Sequence, residues 1–153
     1  MKMRRISASL AVLLASASLA LAADATLGTW KLDEAKSKLA TAAKNSTVVY
    51  AAAGDSVKIT VDGVDKDGKP VHNEWTGKYD GKDYPVTGDP NSDTRAYTKV
   101  DDHTLTFNAK KGGKVTTNGK VSISTDGKTR TVTVSTTDAF GKTTESSAVY
   151  NRQ

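Results

Sequence analysis

The 153-residue sequence contains no cysteine. This absence excludes disulfide bonds, thiolate catalysis, cysteine-ligated zinc and a lipid-modified amino-terminal cysteine. A chain of this length can form one domain with a modest core, but it is too short for two ordinary domains. A multidomain machine is therefore excluded as well.

A large surplus of positive charge is also missing once the first residues are set aside. The chain has 22 Lys and Arg against 17 Asp and Glu, but Lys2, Arg4 and Arg5 precede the first acid. Without them the balance is 19 to 17. Nucleic-acid binding requires a clustered surplus of Lys and Arg, so we expect no nucleic-acid partner. The densest basic stretch, 110–114, is typical of a hairpin tip and has no adjacent aromatic residue for base stacking.

Residues 1–22 have the features of a secretory signal peptide. A basic tip precedes an apolar stretch over 10–21, and Ala20-Leu21-Ala22 has the small-x-small pattern that signal peptidase cuts. The apolar stretch is shorter than the roughly 20 residues that span a bilayer, and serines interrupt it. We predict cleavage after Ala22 and a soluble mature chain, 23–153, that is periplasmic or secreted without membrane insertion.

Large apolar residues are scarce in 23–153, whereas threonine is abundant. Leu, Ile, Val and Phe together number 21, and Thr alone also numbers 21. Threonine favours strands with a solvated face. The runs 57–61, 104–107, 121–124 and 131–134 alternate apolar and polar residues, which predicts strands with one buried face. Asp-Gly and Asn-Gly dipeptides between such runs favour tight hairpins. The sequence therefore predicts a sequentially connected antiparallel sheet.

We predict up to ten strands. They lie near 27–32, 46–52, 56–62, 71–79, 82–87, 94–100, 104–110, 114–124, 128–136 and 143–152. Eight or nine strands are equally consistent, because Asn118-Gly119 could form a turn or a bulge. The Ala- and Lys-rich segment Asp33 to Lys44, with Asp33 as N-cap, predicts a short helix after the first strand.

An open meander of this length would expose two sheet edges, and closure on itself removes both. The predicted fold is all-β: an up-and-down meander of 8–10 strands closed into a small barrel that forms a single domain, 23–153. A barrel of this size is either filled by side chains or holds one small ligand.

Both ends of the chain resemble the lipocalin-like, or calycin, barrels. Gly28-Thr29-Trp30 is similar to the Gly-x-Trp signature of lipocalins, and 148–152 resembles the closing strand of the group. The resemblance implies that Trp30 plugs one end of the barrel beside Gly28, and that Arg152 lies over the indole ring as a cation–π lid. The stretches 81–86, 101–104 and 149–150 also resemble a family of uncharacterised exported bacterial lipocalin-like proteins. The chain lacks the lipocalin disulfides, and 32–46 is too short for the helix pair of fatty-acid-binding proteins.

Catalysis and metal binding have little support. His72 is predicted to face solvent and His103 to lie in a turn, and no nucleophile, base and orienting group converge. Asp65, Asp67, Gly68 and Glu74 match four positions of an EF-hand loop, but Gly63 occupies the first position and strands flank it. We therefore predict no enzyme activity, no catalytic residue, no metal and no cofactor.

Ligand binding is the remaining class of function. If Val132 and Val134 face inward, Arg130 shares their side of the strand. An inward arginine near a tyrosine would suit a carboxylate at the end of an apolar ligand. The alternative, which the rarity of buried arginine favours, places the arginines at the barrel rim, paired with surface acids. The candidate ligand-binding residues are Trp75, Tyr79, Arg95, Tyr97, Phe107, Arg130 and Tyr150, although their aromatic members could simply form the core.

The function predicted from the sequence is non-catalytic binding of a small, largely apolar or amphipathic molecule by an exported monomer. The alternative is a filled barrel that acts through its surface as a protein-interaction, inhibitory or structural envelope module. An apolar interior cavity of roughly 300 Å³ or more would indicate the first, and a solid interior the second.

Overall fold

The computed structural model describes residues 24–153, so the predicted signal peptide lies outside the described residues. These residues form ten antiparallel strands that close into one barrel. Each strand pairs with its neighbours in sequence, and the first strand pairs with the tenth. The strands are Gly28–Lys38 (β1), Lys44–Ala53 (β2), Ser56–Val64 (β3), Pro70–Gly77 (β4), Tyr84–Thr87 (β5), Thr94–Asp101 (β6), Thr104–Lys111 (β7), Lys114–Ile123 (β8), Thr129–Thr137 (β9) and Thr143–Arg152 (β10).

The predicted closed antiparallel meander is confirmed, and the structure settles the strand number. The Asn118-Gly119 pair is not a turn, because β8 continues through it and Gly119 pairs with both Phe107 and Val134. The Phe107 ring occupies the space that a Cβ on Gly119 would need. Glycine is therefore used at this position to admit an aromatic ring, and the irregularity between β7 and β8 lies further along, after Ala109.

The predicted helix over Asp33 to Lys44 is wrong. Strand β1 continues to Lys38, and β2 begins at Lys44. The register between β1 and β10 shifts after Asp33, and in that irregular stretch the Ser37 hydroxyl accepts a hydrogen bond from Val149 N–H at 2.9 Å. A helix this short is marginal by itself. Pairing with β10, which closes the barrel, outweighs the local preference of Ala and Lys for helix.

The up-and-down order gives the barrel two distinct ends. The Trp30 end holds residues 24–27, Arg152 and the hairpins that follow β2, β4, β6 and β8. The Phe140 end holds the hairpins that follow β1, β3, β5, β7 and β9. The buried core between the ends consists of inward side chains from all ten strands, among them Trp30, Tyr50, Ile59, Trp75, Val86, Tyr97, Leu105, Val121, Arg130 and Tyr150.

Candidate functional site

The Trp30 end is closed by an arginine–tryptophan contact. Trp30 is completely buried, and its indole N–H donates to Thr26 O at 3.0 Å. Arg152 lies over the ring, with its guanidinium carbon 4.2 Å from the ring centroid. The Arg152 nitrogens donate to the backbone carbonyls of Gly127, Ala25 and Leu27. Since each guanidinium nitrogen has an acceptor, this arginine is committed to holding the barrel closed.

Four of the candidate ligand-binding residues form one aromatic cluster on β4, β6, β7 and the connection that follows β4. The Trp75 and Tyr97 ring centroids are 4.7 Å apart, Tyr97 and Phe107 are 5.3 Å apart, and Tyr79 lies 6.1 Å from Tyr97. Burial, with the help of nearby Tyr50, raises the pKa of Tyr97 to about 12. The Trp75 indole N–H donates to Arg95 O at 3.0 Å. These contacts make the cluster part of the hydrophobic core.

Arg95 has an acid partner. Its Nη2 donates to Asp89 Oδ2 at 2.6 Å, and both side chains are largely buried, with exposures of 12% and 15%. Burial alone would raise the pKa of Asp89, but hydrogen bonds from Ser92, Arg95 and the Asn91 backbone hold it below its usual value. The protein itself therefore neutralises the charge of Arg95. The alternative that placed the arginines at the rim predicted pairing with a surface acid, but here both members of the pair are largely buried.

Arg130 lies inside the barrel, and its surroundings differ from those of Arg152 and Arg95. It follows the inward row of β9 with Val132 and Val134, and its cross-strand partners are Tyr150 on β10 and Ile123 on β8. Only 5% of Arg130 is exposed. Its guanidinium carbon lies 4.7 Å from the Tyr150 ring centroid and 5.2 Å from that of Tyr50. The prediction that this arginine lies at the rim beside a surface acid is wrong, because strand alternation carries it inward.

The guanidinium of Arg130 is only partly satisfied. Its Nη2 donates to the Tyr50 hydroxyl at 2.9 Å, but Nε and Nη1 are buried without a hydrogen-bond partner. No salt bridge to it occurs within residues 24–153. Burial opposes its charge, yet Tyr50 and Tyr150 outweigh that effect, and the pKa of Arg130 is raised. The interior therefore holds a cation with two free donors, an arrangement that costs several kcal/mol unless something accepts from it.

Two further inward residues, one of them in contact with Arg130, were not among the predicted candidates. Tyr50 faces inward with Val48 on β2, and Asn73 faces inward with Trp75 on β4. Asn73 is 7% exposed, and its Oδ1 is a buried acceptor without a partner. Strand alternation would have placed both residues inside. The sequence carries no signal that Tyr50 meets Arg130, because β2 and β9 are far apart along the chain.

The remaining titratable residues lie mainly on the outer surface. His72 faces solvent as predicted, and its Nδ1 lies 2.6 Å from Asp62 Oδ1. The hydrogen bond to Asp62 raises the pKa of His72. In the described part of the chain, no group of three or more His, Asp or Glu residues is arranged to hold a metal ion. Within 24–153 no helix is long and apolar enough to cross a membrane.

Two concave regions, of about 550 Å³ and 310 Å³, are surface grooves. The larger follows β8, β9 and β10, and its lining combines outward residues such as Asn118, Lys120 and Thr133 with the intervening strand positions. The smaller lies along β4 and β5 and includes Trp75 but no other candidate residue. Neither groove reaches Arg130.

Two solved structures are similar to this chain. It is similar to a redesigned beta barrel, mFAP1, bound to DFHBI, with 14% identity, a TM-score of 0.47, and coverage of 84% of this chain and 95% of that one. It is also similar to EF1p2_mFAP2b bound to DFHBI, with 13% identity, a TM-score of 0.48, and coverage of 86% and 97%. No family model and no curated protein matches the sequence.

Proposed function

We propose that the barrel binds a small molecule with an anionic group at one end and an apolar body, and that Arg130 holds the anionic group. The observation that carries this proposal is the pair of unpartnered donors on a buried arginine. Buried ionic groups are ordinarily paired, and arginine suits carboxylates because two of its N–H groups can donate in parallel. Nε and Nη1 lie on different edges of the guanidinium, so an anion would accept from one of these free donors rather than from both in parallel.

The surroundings of Arg130 favour an anion rather than a neutral acceptor. Tyr50 and Tyr150 offer their ring faces to the guanidinium, but no carboxylate within 24–153 pairs with it. Burial raises the pKa of Tyr150, so its hydroxyl stays neutral near pH 7. A carboxylate or a similar anion would supply the missing charge in a site that water reaches poorly.

The neighbouring inward side chains favour an apolar body. On β9 and β10, the inward residues that continue from Arg130 toward the Phe140 end are Val132, Val134, Ala148 and then Ser146, each partly buried. The first three are small and carry no hydrogen-bonding atoms in their side chains. An alkyl or aryl group against them loses no polar contact and gains hydrophobic burial.

Decanoate and decanol form a matched pair of probes that differ in the anionic group. We expect isothermal titration calorimetry to show at least tenfold tighter binding of decanoate to the wild-type chain, since a charge-assisted hydrogen bond contributes roughly 1.5–3 kcal/mol. Arg130→Met should abolish this preference, and Arg130→Lys should retain part of it. Lys120→Met, which removes an exposed cation of the outer surface, is the control and should bind like wild type.

Equal binding of decanoate by wild type and Arg130→Met, with both folded by circular dichroism, would contradict the proposal. Native mass spectrometry of the chain purified from its own source offers a second test. An acidic adduct that wild type carries and Arg130→Met lacks would support the assignment and identify the ligand class.

We further propose that the protein acts outside the cytoplasm, as a monomer and without catalysis. The signal-peptide features of 1–22 support export. A second candidate function, a filled barrel that acts through its surface, is favoured by the position of both grooves on the outer face. Absence of binding for every anionic probe would support this second function.

A further inference from the structure

Two of the three exposed large apolar residues in 24–153 lie at the Phe140 end of the barrel. Phe140 is 96% exposed in the hairpin between β9 and β10, and Val115 is 40% exposed at the start of β8. Val115 follows the hairpin between β7 and β8. Because β8 pairs with β9, this hairpin and the one that holds Phe140 are neighbours at the Phe140 end. A fully exposed phenylalanine is unusual for a surface that faces only water.

The hairpin holds Phe140 outward in a defined position. The Asp138 carboxylate accepts hydrogen bonds from the backbone N–H groups of Phe140 and Lys142, both at 2.9 Å. Gly141 has a φ of 80°, which lets the backbone turn immediately after the aromatic residue. The ring is thus presented on a hydrogen-bonded turn, and no part of 24–153 covers it.

Lysines without acid partners surround these two apolar side chains. Lys111 and Lys114 flank the hairpin that contains Gly112 and Gly113, and Lys142 follows Phe140. None of the three has a carboxylate within 4.0 Å in the described part of the chain. Two acids at this end are hydrogen-bonded to backbone groups: Asp138 caps its own turn, and Asp93, in the connection between β5 and β6, accepts from Gly112 N–H at 3.0 Å.

We propose that this patch, formed by Val115, Phe140, Lys111, Lys114 and Lys142, docks the barrel on the surface of an anionic lipid bilayer. Phe140 occupies a hairpin turn, and Val115 lies at the start of β8 next to one, which suits contact with a soft interface. Aromatic rings partition into the headgroup region of bilayers. Lysines near an anionic bilayer surface add roughly 1 kcal/mol each, and this attraction falls with salt.

The opposite end of the barrel provides an internal comparison. Val100 is 60% exposed there, but Asp101 and Asp102 follow it directly. Lys99 pairs with Asp102 at 3.0 Å, so the hairpin keeps a net negative charge from Asp101 that an anionic bilayer would repel. The charge around the exposed apolar residues therefore gives the barrel one end that fits the proposed surface and one that does not.

Sedimentation with vesicles tests the proposal. One set contains equal parts of phosphatidylcholine and phosphatidylglycerol, and the other contains phosphatidylcholine alone. We expect the wild-type chain to bind the anionic vesicles more tightly and to be released at high salt. Phe140→Ser should weaken this binding about tenfold, because the ring no longer gains burial. Replacing Lys111, Lys114 and Lys142 together by Gln should remove the preference for phosphatidylglycerol.

Val100→Ser is the matched control, since it removes an exposed apolar side chain from the other end, and it should bind like wild type. Each variant is checked by circular dichroism, and substitutions on exposed hairpins should leave the fold intact. Unchanged vesicle binding by Phe140→Ser would overturn the proposal. Failure of the wild-type chain to bind either vesicle would also overturn it and would favour an acidic protein as the partner of the patch. None of these outcomes depends on the interior ligand site.

Discussion

Arg152 and Arg130 both lie against aromatic rings, with guanidinium carbons 4.2 Å and 4.7 Å from the Trp30 and Tyr150 centroids. Their hydrogen bonds differ. Every nitrogen of Arg152 donates to a backbone carbonyl, whereas Nε and Nη1 of Arg130 have no acceptor. A cation–π contact therefore does not by itself distinguish a structural arginine from a binding one. The unused donors make that distinction.

The difference arises from what surrounds each arginine. Arg152 lies at the end of β10, where residues 24–27 and the hairpin between β8 and β9 present free carbonyls. Arg130 lies within the barrel wall, where the backbone carbonyls are used in the sheet and only side chains face inward. If the two sites have the roles we infer, substitution at each should change different properties.

The largest expected effect on stability is that of Arg152→Met. The substitution removes the contact with Trp30 and leaves the carbonyls of Ala25, Leu27 and Gly127 without their donor. We expect a loss of about 3 kcal/mol in the free energy of unfolding, measured by urea denaturation. Arg152→Lys should lose less, since it keeps the charge and one donor. A loss below about 1 kcal/mol for Arg152→Met would mean that the Trp30 end is closed without this arginine.

Gly28→Ala tests the closure of the Trp30 end by changing the backbone beside Arg152. Gly28 has a φ of 130°, and a Cβ there would collide with the Arg152 guanidinium. We expect a loss of about 2 kcal/mol from the strained backbone and the displaced arginine. Gly54→Ala is a useful control, because that residue also has a positive φ but nothing lies close to its Cβ position. Equal losses in the two variants would show that backbone strain alone accounts for the effect.

Arg130→Met, unlike Arg152→Met, should not lower the free energy of unfolding. It replaces a buried, incompletely paired cation by an apolar side chain of similar length. In the absence of ligand we expect the free energy of unfolding to stay the same or to rise by about 1 kcal/mol. Thermal unfolding of wild type and variant, both without ligand, measures the difference. Destabilisation comparable to that of Arg152→Met would show that Arg130 is a structural residue.

The smallest expected effect is a change in the titration of the buried tyrosines. Because the pKa of Tyr97 is raised to about 12, its contribution to stability is present below the ordinary tyrosine pKa of about 10 and is lost as pH rises through 12. Arg130 lowers the pKa values of Tyr97 and Tyr150, against the larger effect of burial. Arg130→Met should therefore shift the ultraviolet tyrosinate titration to higher pH. Arg152→Met should not shift it at pH values where that variant remains folded.

Much of the fold could be predicted from short-range patterns. Alternation placed the strands near their observed bounds, and alternation also put Arg130 on the side of Val132 and Val134. The segment after Asp33 could not be predicted in this way, because its strand conformation depends on β10, which is more than a hundred residues away. The site could not be predicted for the same reason, because the hydroxyl that Arg130 contacts belongs to Tyr50, 80 residues away.

The amino-acid sequence by itself determined the class of fold, since alternation and hairpin chemistry act between residues close together in the chain. It also determined which side of each strand a residue occupies. Only the tertiary structure decided which arginine is satisfied and which is not. Hydrogen-bond satisfaction depends on acceptors from distant strands, and closure of the barrel supplies three carbonyls to Arg152 but a single hydroxyl to Arg130.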